Sequence, residues 1–359
     1  MLFNQQIPSG KLPVYIIGAG GIVNAAHLPA YQLAGFLVQG IYDIIPEKAR
    51  MTAEHFNIPR VFTRLQEMIG HAPSNAVFDM AVPGAATYSV LEQLPEGSSV
   101  LLQKPMGESY PEAKQILELV RSRKIRAAVN FQLRYAPYIL AAKELIATGK
   151  LGELNDIEIN VNVYTPWHLW DFLLKSPRVE ILYHSIHYID LIRNLLGNPR
   201  SVYAKTTRHP AMQELASVRS NIIMDYGDMI RANILTNHCH HYGLPKQQSY
   251  IKIEGSKGAV LVNFGALIDY PRGSADSFEY ILLDGNNQGW QTMPIEGSWF
   301  PHAFIGSMAQ LMLAAEGIIE KADNSVEDCI DTMACLEAAY ISNERGGVTL
   351  SEILEFKTE

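Results

Sequence analysis

Residues 14–43 read VYIIGAGGIVNAAHLPAYQLAGFLVQGIYD. An apolar run, Val14 to Ile17, leads into Gly18-Ala19-Gly20-Gly21. Apolar residues at helical spacing follow from Ile22 to Leu33, and a second apolar run, Phe36 to Tyr42, ends on Asp43. Strand, glycine turn, helix, strand and acid in that order make a dinucleotide-binding βαβ unit. Gly18 suits the tight turn. Gly20, lacking a Cβ, lets the backbone approach a pyrophosphate, and the helix start at Gly21 and Ile22 points free N–H groups at it. Asp43 is placed to accept hydrogen bonds from an adenosine ribose. Its charge would repel a 2′-phosphate, which favours NAD and leaves NADP open. Val23 occupies the place of a third glycine, so the close approach of helix and strand must be arranged differently. The plainer alternative is an ordinary βαβ crossover with a glycine turn.

Strand and helix patterns continue to alternate outward from this unit. Helices are expected near Pro46–Phe56, 65–70, 88–94 and 111–124, and strands near 76–82, 99–103 and 126–131. Alternation of this kind gives a parallel, doubly wound sheet with its ligands outside the carboxyl ends of the strands. Gly18–Gly21, Asp43, Val82, Pro83, Gln103, Lys104 and Asn130 should lie along that edge. From Leu154 the pattern changes to strands, with one helix near 183–196 and two closing helices. The expected organisation is a Rossmann domain over 1–130 and an α+β domain over 131–359. The second domain would carry a large, open, mostly antiparallel sheet.

The chain has 359 residues and a net charge of −8, and 18% of its residues are charged. That balance excludes a basic nucleic-acid-binding face and a disordered chain. Cys239, Cys329 and Cys335 show neither CxxC spacing nor a disulfide framework, which fits reduced thiols in a cytosol. No run of apolar residues is long enough to span a membrane, and residues 1–12 lack the features of a signal peptide. His238, His240 and His241 have no acid or cysteine cluster at metal-ligand spacing, so no metal is expected.

The blocks GAGGIVNAAHLPA at 18–30, LLQKPMGESYPEA at 101–113, NFQLRYAPYI at 130–139, TGKLGEL at 148–154, ILYHSIHYIDLI at 181–192 and FIGSMAQL at 304–311 resemble the Gfo/Idh/MocA (glucose-fructose oxidoreductase/inositol dehydrogenase-like) oxidoreductases. The resemblance runs over nearly the whole chain and is carried by the order of the blocks as well as their content. It implies hydride transfer between a nicotinamide and a sugar, polyol or cyclitol carbon, and a homodimer or homotetramer. The family's Glu-Lys-Pro motif stands here as Gln103-Lys104-Pro105, with Lys104 on the reacting oxygen. A histidine one helical turn after an aspartate is matched by His187, but Tyr183 holds the aspartate's place and His184 follows it. Tyr183 either joins Lys104 and His187 in a proton path, its phenol made more acidic by the ammonium, or only packs, leaving the proton to His184 or His187. Arg134, Tyr135, Trp167 and His168 are candidate substrate contacts, and aromatic residues with polar edges suit a carbohydrate. Asp190 is a further orienting candidate. Two other readings stand beside the dehydrogenase: a non-catalytic NAD- or sugar-binding regulator, and a lyase or glycosidase that retains NAD for a transient internal redox step.

Overall fold

The computed structural model describes residues 6–8, 11–285 and 289–348. Its first sheet contains β1 (Pro13–Ile17), β2 (Leu37–Tyr42), β3 (Val61–Phe62), β4 (Val77–Met80), β5 (Ser99–Leu102) and β6 (Arg126–Val129). The strands pair in the order β3-β2-β1-β4-β5-β6, all parallel. The order reverses at β1, which puts the switch point, and with it the ligand crevice, at the glycine turn. Helices α1 (Leu28–Ala34), α2 (Pro46–Phe56), α3 (Leu65–His71), α4 (Thr87–Leu91) and α5 (Tyr110–Ser122) make the crossovers. β1, β4 and β5 are buried along their full length, as strands covered on both faces must be. α5 follows the expected pattern closely: Ser109 caps it through the Glu112 N–H, and Ala113, Ile116, Leu117 and Val120 form its buried stripe.

α6 (Pro137–Ala147) leads into the second sheet, formed by β7 (Leu154–Asn162), β8 (Ser201–Thr207), β9 (Arg219–Asp225), β10 (Arg231–Asn237), β11 (Gln248–Gly255), β12 (Gly258–Asn263), β13 (Ser277–Leu282) and β14 (Gln291–Thr292). Its order is β14-β13-β12-β11-β7-β10-β9-β8, antiparallel except for the β7–β10 pair. Strict alternation divides its faces. Ile157, Ile159, Val161, Ile234, Ile251, Ile253, Val260 and Val262 are buried. Asp156, Glu158, Asn160 and Asn162 of β7 look the other way, and Arg231 of β10 bridges Asp156 and Glu158 on that face. β13 and β14 were not anticipated from the sequence.

Three helices complete the chain: α7 (Ile186–Leu196), α8 (Ala303–Ala315) and α9 (Val326–Arg345). α8 does not stay with the second sheet. Phe304, Met308, Leu311 and Met312 share a core with Val14, Ile16, Val23, Tyr31 and Leu101 of the Rossmann unit. The Val129 N–H donates to the Asn324 carbonyl (2.8 Å), so the segment before α9 extends the first sheet past β6. The chain therefore crosses back over the boundary expected at residue 130. Among the described residues, no helix is long and apolar enough to cross a membrane.

Candidate active site

The glycine turn forms where β1 ends. Gly18 has φ +106°, and a Cβ there would lie 2.4 Å from the Ala81 carbonyl oxygen after β4. Glycine is thus required twice over, by conformation and by space. A Cβ on Gly20 or Gly21 would meet nothing, so both border open space at the helix start. The helix then takes a π turn over Val23–His27 before α1. Val23 is fully buried at the position where a third glycine was missing. Asp43, just after β2, accepts from the Ala19 N–H (2.7 Å) and from the Ile45 N–H (2.8 Å). It fixes the turn through one lone pair on each oxygen, and each oxygen keeps another for a ribose hydroxyl. Ile22 and Val82 are half-buried and Pro83 is exposed beside the same edge.

A buried network missed by sequence reasoning lies beneath this edge. The π turn directs His27 inward, where Nδ1 meets Asp79 Oδ2 at 2.7 Å, and Tyr31 donates to the same oxygen at 2.8 Å. Asn130 lies 3.2 Å from His27 Nε2 and donates to Gln103 Oε1 at 2.9 Å. Asn130 is fully buried, so it orients Gln103 and does not itself line the crevice. An aspartate inside the otherwise apolar β4 run was the available signal.

Lys104 follows β5, joined to Pro105 by a cis peptide bond. It is partly buried, and its Nζ donates to the Tyr183 carbonyl oxygen at 2.6 Å. Burial lowers its pKa to about 8. Tyr183 belongs to a π turn, Ile181–Ser185, that precedes α7. The Tyr183 hydroxyl turns to Glu108 Oε1 (2.9 Å). Burial and that carboxylate raise its pKa, the opposite of the lowering expected from the ammonium. The proton-path expectation for Tyr183 is corrected accordingly.

His187 is buried between Phe131 and Trp299, with ring centroids at 6.4 and 5.7 Å. Its Nδ1 is buried without a partner among the described residues. His184 is half-buried and packs on Trp167 at 4.9 Å and on His238 at 4.3 Å. Burial, then neighbouring charge including that of Lys104, pushes both imidazoles well below their ordinary pKa. Both are therefore neutral at pH 7 and able to accept a proton. Lys104, His184 and His187 thus share one electrostatic neighbourhood where the two sheets meet.

Other candidates lie elsewhere. Arg134 has no exposure: Nε and Nη2 clasp Asp190 at 2.6 and 2.5 Å, Nη2 reaches Asp328 at 2.6 Å, and Nη1 donates to the Asp323 carbonyl at 2.6 Å. Its expected substrate contact is replaced by a structural ion cluster, and Asp190 orients Arg134 instead of a histidine. Tyr135 is buried with its hydroxyl on Asp323, and so is withdrawn from substrate as well. Trp167 is a buried wall of the His184 cluster, while His168 is exposed. Of the three neighbouring histidines, His240 meets Asn162 and His241 meets the Cys239 carbonyl, while His238 turns inward. Asp190, Asp328 and Cys329 lie close enough together to suggest a cation site, but the Arg134 guanidinium occupies it. A 420 Å³ cavity lined by Arg178, Thr206, Arg208 and Asn343 includes none of the residues above.

Residues 12–131 match the oxidoreductase family with an NAD-binding Rossmann fold, and residues 139–261 match the GFO/IDH/MocA C-terminal domain. The chain belongs to the Gfo/Idh/MocA oxidoreductase family. Its first third is an NAD-binding Rossmann domain. An uncharacterized oxidoreductase of Schizosaccharomyces pombe is 30% identical over 149 residues, which span 41% of this chain and 40% of the yeast protein. Glucose-6-phosphate 3-dehydrogenase of Bacillus subtilis is 25% identical over 289 residues, 76% of this chain and 77% of that enzyme. An Agrobacterium radiobacter oxidoreductase, crystallised with NAD+, L-tartaric acid and magnesium, superposes with a TM-score of 0.76 at 20% identity, covering 96% of this chain and 99% of its own. That structure shares the fold of this chain.

Proposed function

We propose that this Gfo/Idh/MocA protein is a dehydrogenase that oxidises a CH–OH group of a sugar, polyol or cyclitol, and reduces the corresponding carbonyl, with NAD as cofactor. The observation that carries the reading is Lys104, a partly buried ammonium beside two neutral imidazoles at the strand edge that carries the glycine turn. The relationship to a sugar-phosphate dehydrogenase supports the carbohydrate class.

The residues present fit a dinucleotide. Gly18 leaves no room for a side chain, Gly20 and Gly21 face open space, and Asp43 retains free lone pairs. NAD, when bound, supplies the two-electron acceptor. Lys104 donates a hydrogen bond to the reacting oxygen and favours the charge that develops there as its proton leaves. A neutral imidazole, His184 or His187, takes that proton. Trp167 and Trp299 flank the imidazoles and exclude water from them.

The outer face of the second sheet supports self-association into a dimer or tetramer. Tyr203, Ile223 and Leu235 are exposed on the outer face of β8, β9 and β10, and a second copy would cover them. The catalytic reading is tested by incubating the protein with NAD and a panel of sugars, sugar acids, polyols and cyclitols. Reduced nicotinamide formed with one class supports it. No reduction by protein whose NAD binding is confirmed calorimetrically counts against it.

A further inference from the structure

Tyr183 holds the place of the aspartate implied by the family motif, yet a carboxylate lies one turn earlier. Glu180 has no exposure. Its Oε1 accepts from Ser185 Oγ at 2.7 Å, its Oε2 accepts from Ser220 Oγ, and its backbone N–H donates to Ser217 Oγ at 3.2 Å. His238, also without exposure, brings Nε2 to 3.5 Å from Glu180 Oε1 and Nδ1 to 2.9 Å from Thr165 Oγ1. The His238 ring lies against His184 at 4.3 Å, inclined by 51°, and Trp167 closes over both rings at 5.7 and 4.9 Å.

From the cleft inward the order is His184, His238, Glu180, with accessibility falling to nothing after the first. Such an acid buried in a wall of the site needs an explanation, because an unneeded buried carboxylate is costly. Burial raises its pKa, but the neighbouring His238 and the two serine hydroxyls outweigh this and hold it below the ordinary value. Glu180 is therefore a carboxylate paired with His238, and the two form a buried unit behind His184. Neither ring nitrogen of His184 has a partner among the described residues, so both remain available to a ligand.

We propose that Glu180 and His238 are positioning residues for His184, and that His184 is the group that takes the substrate proton. The inference rests on the dehydrogenase reading for its reaction, though the coupling itself does not. In the step, the substrate O–H bond breaks as a His184 N–H bond forms. The hydrogen of the adjacent C–H bond leaves with its electron pair as a hydride, for which bound NAD would be the acceptor, so the alcohol becomes the carbonyl. The imidazolium that forms faces His238, Lys104 and His187, and Glu180 holds His238 from behind. His238 keeps the two from collapsing together and fixes the ring plane of His184.

The test pairs kinetics with side-chain NMR of the substrate-free protein. Glu180→Gln should lower kcat by about 10- to 100-fold while KM for NAD stays within about twofold. Breaking the Glu180–His238 pair should displace the His184 titration, and with it the acid limb of kcat. His184→Ala should add less than about threefold to the loss already caused by Glu180→Gln, as expected of residues acting as one unit. A His184 titration that Glu180→Gln leaves in place overturns the coupling, as do kinetic losses that simply multiply. Should Glu180→Gln not fold, Thr165→Val removes the hydroxyl that holds His238 and should displace the His184 titration in the NMR spectrum; an undisplaced titration overturns the coupling equally. If the wild type oxidises no alcohol, the dehydrogenase reading fails, and NMR alone decides whether Glu180 and His184 are coupled.

Discussion

Lys104 Nζ donates to the Tyr183 carbonyl oxygen across 2.6 Å, tying the carboxyl edge of the Rossmann sheet to the π turn of the second domain. One bond thus positions the ammonium and sets how the imidazoles behind Tyr183 approach it. The ammonium is held where charge is disfavoured, which lowers its pKa from 10.5 to about 8.

Lys104→Met should therefore raise stability near pH 7 by on the order of 2 kcal/mol, allowing for the residue's partial exposure, while removing turnover. The sign follows from proton linkage. Between pH 8 and 10.5 the unfolded chain holds the proton and the native chain does not, so wild-type stability rises with pH there. The advantage of Lys104→Met should shrink across that interval. Thermal unfolding of both proteins at pH 7 and pH 10 checks this, and an advantage independent of pH would refute it.

Tyr183→Phe should retain turnover within about threefold. The hydroxyl is bonded to Glu108 and its pKa is raised, so it is a poor proton relay. Loss of one partly buried hydrogen bond should cost about 1 kcal/mol. Steady-state kinetics would contradict the assignment if kcat fell by about 100-fold.

Arg134→Met should act through stability. It strands Asp190, which the guanidinium clasps in the interior, and such losses cost about 3–5 kcal/mol. Urea unfolding measures the loss. A change confined to substrate KM, with stability intact, would restore the substrate contact expected from the sequence.

Gly18→Ala should weaken NAD binding by at least about tenfold and cost 2 kcal/mol or more, on the order expected where φ is positive and there is no space for a Cβ. The new methyl would press on the Ala81 carbonyl. Calorimetric titration with NAD reads the first effect, and unchanged affinity would contradict the role of the turn.

The parallel sheet was legible because its order depends on local signals: apolar runs, glycine at the turn and acid at the strand end. Lys104 was legible from its place after β5. The partners of Tyr183, Arg134 and Asn130 were not, because each is set by contacts across long sequence separations. Arg134 meets Asp328 across 194 positions, and Tyr183 meets Glu108 across 75. The π turns at Val23–His27 and Ile181–Ser185 also escaped a reading at 3.6 residues per turn. The first of them carries His27 into the core. α8 reads as an apolar helix with no clear solvent face, and only the fold shows that it covers β1 and α1.

The central claim is most directly tested by nicotinamide reduction by wild type and Lys104→Met, with NAD and NADP in parallel, across sugars, sugar acids, polyols and cyclitols. The account predicts reduction with at least one of these classes, faster with NAD, and a loss of at least about 100-fold in folded Lys104→Met protein. A folded, NAD-binding wild type that reduces nothing across the panel, or a Lys104→Met variant that keeps the wild-type rate, would contradict it.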